Sequence, residues 1–281
     1  MPTLSAVDRR LLESDLPPLR HALLSSGSTL EYRDTGHGAD AVLLLHGIGS
    51  SSAGYRAQLA GLSAQRRLLA WNAPGFGAST PLASPTPDVH AYAAELAGLL
   101  DVLSLERVHL VASSWGTLIA QAFAGRYPER TRAMVLSVPT RGYAHLPLDE
   151  RARRMAERLS PAARTQAPEE RAPRFLGPAP DALVVRRFGE LQAAVHPAGL
   201  AQATHMLFDC DALALAGAVH VPTLILAGGE DRVAPPGEHA ERLRGALDGA
   251  ALETFADCGH LLKLEAPDRF NRNVHDFLRH H

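Results

Sequence analysis

One stretch of the chain runs from a strand through a tight turn into a helix without an intervening loop. Residues 108–111 are mostly apolar and β-branched, which predicts a buried strand. Residues 117–126 carry apolar side chains at helical spacing and favour a helix. Between them, Ser114 lies at the apex of a turn with small residues two positions before and after it. This is typical of a nucleophile elbow, usually Gly-x-Ser-x-Gly, in which the turn exposes the serine hydroxyl. Because Ala112 replaces the first glycine, the pattern alone is equally compatible with ordinary strand–helix packing.

Strand-like and helix-like segments alternate along most of the chain. Such alternation predicts an α/β fold with a mostly parallel, doubly wound sheet covered by helices on both faces. Sites in these sheets lie at the C-terminal ends of the strands. His46, Asn72 and Ser114 each follow a strand end and should therefore lie on one rim. The strand-like runs are residues 41–45, 67–71, 108–111, 133–138, 223–227 and 251–255.

The alternation stops between residues 141 and 205. This part has helical patterns at residues 148–159 and 181–194, several prolines and no strand-like run. We therefore predict a core formed by residues 1–140 and 206–281, with residues 141–205 inserted as a helical cap over the rim. Residues 1–18 are predicted to be a loosely packed lead-in.

Composition narrows the class of protein. A chain of 281 residues that is 46% hydrophobic suits one large globular domain with an insertion. A formal net charge of -2 gives no reason to expect nucleic acid or an anionic membrane as a partner. No apolar run approaches the roughly 20 residues that span a bilayer, and the charged N-terminal residues do not resemble a signal peptide. With only two cysteines, we expect a cytoplasmic protein; its oligomeric state is left open.

A serine nucleophile needs a histidine to take its proton and a carboxylate to orient that histidine. Both partners should follow strand ends on the same rim. The run at residues 223–227 leads into a turn with Glu230 and Asp231, either of which could be the acid. The last run leads through Gly259 to His260, the candidate base. The chain order serine, acid, histidine is that of the nucleophile-elbow hydrolases.

The negative charge that develops during attack needs backbone N–H donors, an oxyanion hole. The residue after the nucleophile, Trp115, supplies one N–H. We predict that Ile48 supplies the other, because the glycines on either side of it allow the backbone to approach a substrate. The side chain of His46 is interpreted as structural.

Substrate contacts are predicted where the cap rejoins the sheet. Here His205, Met206 and Leu207 are candidates for lining the pocket, although ordinary core packing is equally compatible with these residue types.

Taken together, five segments of the chain resemble the α/β-hydrolase family from about residue 30 to the C-terminus. The resemblance implies that Ser114 is the nucleophile, His260 the base and Asp231, rather than Glu230, the acid. It implies no metal or organic cofactor. Residues 189–207 are also loosely similar to enol-lactonase-like and meta-cleavage-product-hydrolase-like members. The matching segments are residues 46–49, 73–79, 113–116, 229–235 and 259–260.

We therefore predict a serine hydrolase that cleaves a small-molecule carboxylic ester or lactone through an acyl-enzyme. Two alternatives remain. One is hydrolysis of a carbon–carbon bond in a vinylogous diketone by the same triad. The other is a ligand receptor on a hydrolase scaffold, with slow or no turnover.

Overall fold

Eight strands form a single sheet in this computed structural model, which describes residues 4–38, 40–160 and 166–281. The strand order is β1-β2-β4-β3-β5-β6-β7-β8. β2 runs antiparallel to its neighbours β1 and β4, and strands β3 to β8 are parallel to one another. The predicted mostly parallel sheet is confirmed. The strands are β1 (Leu19–Leu23), β2 (Thr29–Thr35), β3 (Ala41–Leu45), β4 (Arg67–Trp71), β5 (Val108–Ser113), β6 (Thr131–Ser137), β7 (Thr223–Gly228) and β8 (Ala251–Phe255).

Helices connect the strands, and their first residues carry the expected start signals. The side chain of Asp88 caps α3 by accepting a hydrogen bond from the N–H of Ala91 at 2.8 Å. Pro267 opens α12 at a position where a missing N–H is tolerated. Among the described residues, no helix is both long enough and apolar enough to cross a membrane. The helices are α1 (Ala6–Glu13), α2 (Arg56–Leu62), α3 (Val89–Val102), α4 (Gly116–Arg126), α5 (Leu148–Leu159), α6 (Pro168–Phe175), α7 (Ala182–Ala193), α8 (Pro197–Asp209), α9 (Ala212–Ala216), α10 (Ala240–Ala246), α11 (Leu262–Glu265) and α12 (Pro267–Leu278).

The central strands β3, β5 and β7 are buried on both faces, whereas the edge strand β1 is largely exposed and the edge strand β8 is partly exposed. Alternate residues of a strand point to opposite faces of the sheet. In β3, Leu43 and Leu45 pack into one apolar cluster, whereas Val42 and Leu44 pack into another. All five residues of this strand are buried, as expected for a central strand covered on both sides. The helices therefore form two layers around the sheet, which is the doubly wound arrangement.

The described part of residues 1–18 is not the loosely packed lead-in that we predicted from sequence. Residues 6–13 form α1, whose first turn is capped by Ser5 accepting from the N–H of Asp8 at 3.0 Å. Leu12 is fully buried in a third apolar cluster, together with Leu183 and Val184 of α7. The prediction was wrong because tertiary contacts, which short-range sequence cannot show, stabilise this short helix.

The chain between β6 and β7 leaves and returns to the sheet at one point. We call residues 141–211 the inserted segment. The guanidinium of Arg141 pairs with the carboxylate of Asp211 at 3.2 Å, and the N–H of Ala212 donates to the carbonyl of Arg141 at 2.7 Å. Helix α8 continues through residue 205, where the predicted boundary between cap and core falls.

Candidate active site

The turn between β5 and α4 adopts the conformation expected of an elbow. Ser114 has a φ of +52°, a left-handed conformation that is unfavourable for a residue with a side chain. Its N–H donates to the carbonyl of Ser137 on β6 at 2.9 Å, which holds the turn against the sheet. At Gly116, a Cβ atom would lie 2.6 Å from the carbonyl oxygen of Leu45, so only glycine fits. Ala112, by contrast, is accommodated as a fully buried residue of β5, and the elbow forms without the first glycine.

Three residues predicted from separate parts of the chain are brought into one hydrogen-bonded series. The Nε2 atom of His260 lies 2.9 Å from the Oγ atom of Ser114. The Nδ1 atom of the same ring lies 2.7 Å from Oδ2 of Asp231. The other acidic candidate, Glu230, does not join this series; its half-exposed carboxylate lies 3.9 Å from the guanidinium of Arg232. The geometry agrees with Asp231, the acid that the family resemblance implied.

The acid is held so that one oxygen remains available to the histidine. Oδ1 of Asp231 accepts hydrogen bonds from the N–H groups of Val233 and Ala234, at 2.8 and 2.9 Å. This leaves Oδ2 for the Nδ1–H of His260, so the unprotonated Nε2 faces the serine hydroxyl. Asp231 and His260 are 4% and 5% exposed, and this exclusion of water strengthens the electrostatic interaction between them.

The loop after β3 packs directly against the serine. A Cβ atom at Gly47 would lie 3.4 Å from Cβ of Ser114. Within the described ranges, the N–H groups of Ile48 and Trp115 donate to no backbone or side-chain acceptor. Both N–H groups therefore remain candidates for the donors that an oxyanion needs.

His46 supports this loop from below. Its Nε2 atom accepts from the N–H of Ala73 at 3.0 Å, and its Nδ1–H donates to the carbonyl of Gly47 at 2.9 Å. Burial lowers the pKa of His46 to about 4, so the ring is neutral at physiological pH. The structural interpretation of this side chain is confirmed.

The three predicted substrate contacts lie in α8. Met206 and Leu207 are buried in the larger apolar cluster, and the carbonyl of Leu207 accepts from the N–H of Tyr143 at 3.1 Å. His205 is half-buried. In the part of the chain that the structure describes, no hydrogen bond or ring contact joins these residues to Ser114 or His260. Their role in substrate binding stays a prediction.

The two cysteines are not alternative nucleophiles. Both are buried free thiols. Burial raises the pKa of Cys210 to about 12 and raises that of Cys258 as well, so both are protonated at neutral pH. Among residues 4–38, 40–160 and 166–281, no group of three or more His, Cys, Asp or Glu side chains is arranged to hold a metal ion.

Two charged residues of α11, Lys263 and Glu265, lie beside the site, and neither was among the residues predicted from sequence. The ammonium of Lys263 donates to Oγ of Ser113 at 3.0 Å and lies 5.0 Å from the ring centre of Tyr55. Glu265 accepts from backbone N–H groups on both sides of His260. Lys263 is the only lysine of the chain and stands in an otherwise apolar run of leucines. That isolated charge was the available signal that the run has a role besides packing.

Because of Lys263, we expect the free energy of unfolding to rise with pH above about pH 8. Burial lowers its pKa from 10.5 to about 8. Between these values the unfolded chain binds more protons than the folded protein, so the free energy of unfolding increases with pH. Below pH 8 the unfavourable burial of the charge, roughly 3 kcal/mol, is fully present. Urea unfolding across this pH window should show that the free energy of unfolding rises with pH more steeply for the wild type than for Lys263→Met. A difference that does not change with pH would contradict the assignment.

Comparison with known proteins extends over most of the chain. A family model described as alpha/beta hydrolase fold matches residues 40–267. A 2-hydroxy-6-oxo-2,4-heptadienoate hydrolase of Pseudomonas putida is 32% identical, over 91% of this chain and 95% of that protein. A 2-hydroxy-6-oxononadienedioate/2-hydroxy-6-oxononatrienedioate hydrolase of Pseudomonas putida is 30% identical, over 89% of this chain and 92% of its own length. Among solved structures, a thermophilic esterase from Thermogutta terrifontis superposes with a TM-score of 0.81 at 27% identity, covering 93% of this chain and 98% of the esterase.

Proposed function

The chain belongs to the α/β-hydrolase fold family and is a hydrolase, and we propose that Ser114, His260 and Asp231 form its catalytic triad. The observation that carries this proposal is the continuous series from Asp231 through His260 to Ser114, with contacts of 2.7 and 2.9 Å. Each member lies at the C-terminal end of a parallel strand, where sites of such sheets occur. The left-handed turn at Ser114 presents the hydroxyl to the rim.

In the proposed mechanism the hydroxyl of Ser114 attacks the carbonyl carbon of the substrate while Nε2 of His260 takes its proton. The negative oxygen that forms accepts hydrogen bonds from the N–H groups of Ile48 and Trp115. His260 then gives the proton to the leaving group, and an acyl-enzyme remains on Ser114. A water molecule, deprotonated by His260, releases the acid product. Asp231 stabilises the imidazolium in both half-reactions.

The proposed substrates are small carboxylic esters or lactones. A second candidate is hydrolysis of a carbon–carbon bond, which is favoured by the 30–32% identity to relatives named as 2-hydroxy-6-oxo-dienoate or dienedioate hydrolases. The two reactions place different demands on the site. In ester cleavage the alcohol part leaves as an alkoxide, which one proton neutralises. In carbon–carbon cleavage the leaving group is a carbanion, and it needs a conjugated acceptor to take up the electron pair of the broken bond.

Substrate preference can be tested with a panel that separates these reactions. We expect 4-nitrophenyl esters of short acids to give a burst of about one nitrophenolate per enzyme, because nitrophenolate is a good leaving group and acylation of Ser114 should be faster than hydrolysis of the acyl-enzyme. A fluorophosphonate probe should label Ser114. Faster turnover of a 2-hydroxy-6-oxo-dienoate than of any ester or lactone would assign the carbon–carbon reaction. An intact protein that is not labelled and turns over no member of the panel would overturn the proposal and favour a ligand receptor.

We propose that residues 141–205 act as a cap that shapes the pocket. In support of this, the N–H of His260 donates to the carbonyl of Phe175 in α6 at 2.6 Å. The ring of Phe175 also lies 6.2 Å from the imidazole, edge to face. Residues of this segment therefore contact the proposed base directly. His205, Met206 and Leu207 are proposed to line the pocket where α8 returns to the core.

We also propose a cytoplasmic location. The free thiols of Cys210 and Cys258 support it, since a reducing compartment keeps cysteines unpaired. The proposed partner is a small-molecule ester or lactone substrate. The near-neutral net charge of -2 offers no general attraction for nucleic acid.

A further inference from the structure

The carboxylate of Glu265 is surrounded by backbone N–H groups from two separate parts of the chain. Oε1 accepts from Leu261 at 3.0 Å, and both oxygens lie 3.1 Å from the N–H of Gly259. Oε2 accepts from Gly177 of the inserted segment at 2.6 Å. One side chain thus binds the residues immediately before and after His260 and a residue 88 positions away in sequence.

No cation within the described residues forms an ion pair with Glu265. Burial raises the pKa of this carboxyl above its usual value. The hydrogen bonds from Gly177, Gly259 and Leu261 and the charge of His260 reduce this rise without cancelling it. The backbone donors therefore take the place of a counter-ion, and the carboxylate interacts favourably with a protonated imidazole.

The backbones that Glu265 joins are in direct contact. A Cβ atom at Gly259 would lie 2.6 Å from the carbonyl oxygen of Phe175. A Cβ atom at Gly177 would lie 2.3 Å from the carbonyl oxygen of Asp257. These glycines permit the approach, and the hydrogen bond from His260 N–H to Phe175 adds a second connection. The loop carrying His260 and residues 175–177 therefore form one hydrogen-bonded unit.

We propose that Glu265 is a positioning residue that fixes the imidazole of His260 and makes its position depend on docking of residues 175–177. This inference rests on the proposed role of His260 as base. Among the described contacts Glu265 has no hydrogen bond to Ser114 or Asp231, so it acts through the backbone N–H groups of Gly259 and Leu261, on either side of His260. A shift of the base by about 1 Å can slow a reaction by about 100-fold, which makes such support important for the rate.

Glu265→Gln removes the charge and places an NH₂ group among N–H donors, so at least one of the backbone bonds is lost. We expect kcat, counted per fluorophosphonate-titrated active site, to fall about 10- to 100-fold, with little change in KM for a small aryl ester. Counting per titrated site removes any loss through unfolding. Glu265→Asp, which keeps the charge on a shorter side chain, should recover part of kcat. The matched control is Glu253→Gln. It breaks an exposed ion pair between Glu253 on β8 and Arg269 on α12, and it should leave kcat unchanged.

The wild type provides a measurement that does not depend on a variant folding. Amide hydrogen exchange should give Gly177, Gly259 and Leu261 similar protection that is lost together on adding denaturant, because they share one acceptor. Exchange at Gly177 more than tenfold faster than at the other two would overturn the coupling. A wild-type kcat in Glu265→Gln, with the wild-type protein still labelled at Ser114, would overturn the positioning role while leaving the proposed function in place. Failure of the wild type to label would instead contradict the triad.

Discussion

Replacement of Ser114 with alanine is expected to lower kcat by about 10⁶-fold, because the variant retains the binding groups but has no atom to attack the carbonyl. Stability should change by less than about 1 kcal/mol, since the side chain stands at the rim in a strained turn and is not part of the core. Turnover of an aryl ester and labelling by a fluorophosphonate probe measure the loss of the nucleophile, and urea unfolding measures the change in stability.

A second serine provides an unusually close control. Ser104 has the same φ of +52° but is exposed in the turn between α3 and β5, at the opposite end of β5 from Ser114. Ser104→Ala places alanine in the same left-handed conformation and should leave kcat unchanged. If Ser114→Ala retained more than about one hundredth of the activity, a different nucleophile would have to be sought.

Replacement of Asp231 with asparagine is expected to lower kcat by about 10⁴-fold with little loss of stability. The amide oxygen would keep the hydrogen bonds from Val233 and Ala234, so the NH₂ group would face Nδ1 of His260. An NH₂ donor there stabilises the tautomer that carries its proton on Nε2. That proton would point at the hydroxyl of Ser114, and the imidazole could no longer act as a base.

The adjacent acid distinguishes a local charge effect from a specific role. Glu230→Gln removes one negative charge next to Asp231 in sequence, but its carboxylate faces Arg232 and solvent. Its kcat should stay within about twofold of the wild type, since exposed ion pairs contribute little. Similar losses in Asp231→Asn and Glu230→Gln would show that neither carboxylate orients His260 specifically.

The sheet and the site geometry were accessible from sequence for a physical reason. Parallel strands must end on one rim, so polar residues that follow apolar runs are brought together whatever the exact packing. Ser114 and His260 could be predicted on this ground, and the acid could be narrowed to the neighbours Glu230 and Asp231. Short-range pattern could not separate Glu230 from Asp231; the resemblance to a family did. In the structure, Asp231 is distinguished from Glu230 by its turn, in which its carboxylate accepts from the N–H groups two and three residues ahead. Aspartate commonly forms such hydrogen bonds in loops.

The contributions of Leu12 and Glu265 could not be inferred in the same way. Both depend on partners far away in sequence, and Glu265 belongs to no periodic pattern that marks a buried face. Glu265 looks like an ordinary helix residue until its carboxylate is seen among backbone N–H groups. A side chain that binds backbone leaves no complementary residue type to search for, since every residue except proline has an N–H.

The pairing of Arg141 with Asp211, described above, makes the inserted segment a closed excursion whose two ends meet beside the sheet. The number of residues in the inserted segment has little effect on the stability of pairing between β6 and β7, because the entropy cost of closing a long loop grows only slowly with its length. Insertion, deletion or repacking in this segment can therefore alter the proposed pocket without loss of the strand register that holds the proposed triad. Residues 175–177 are the exception, because they are hydrogen-bonded to His260 and Glu265. On the proposed positioning role, a change in these residues would alter the rate.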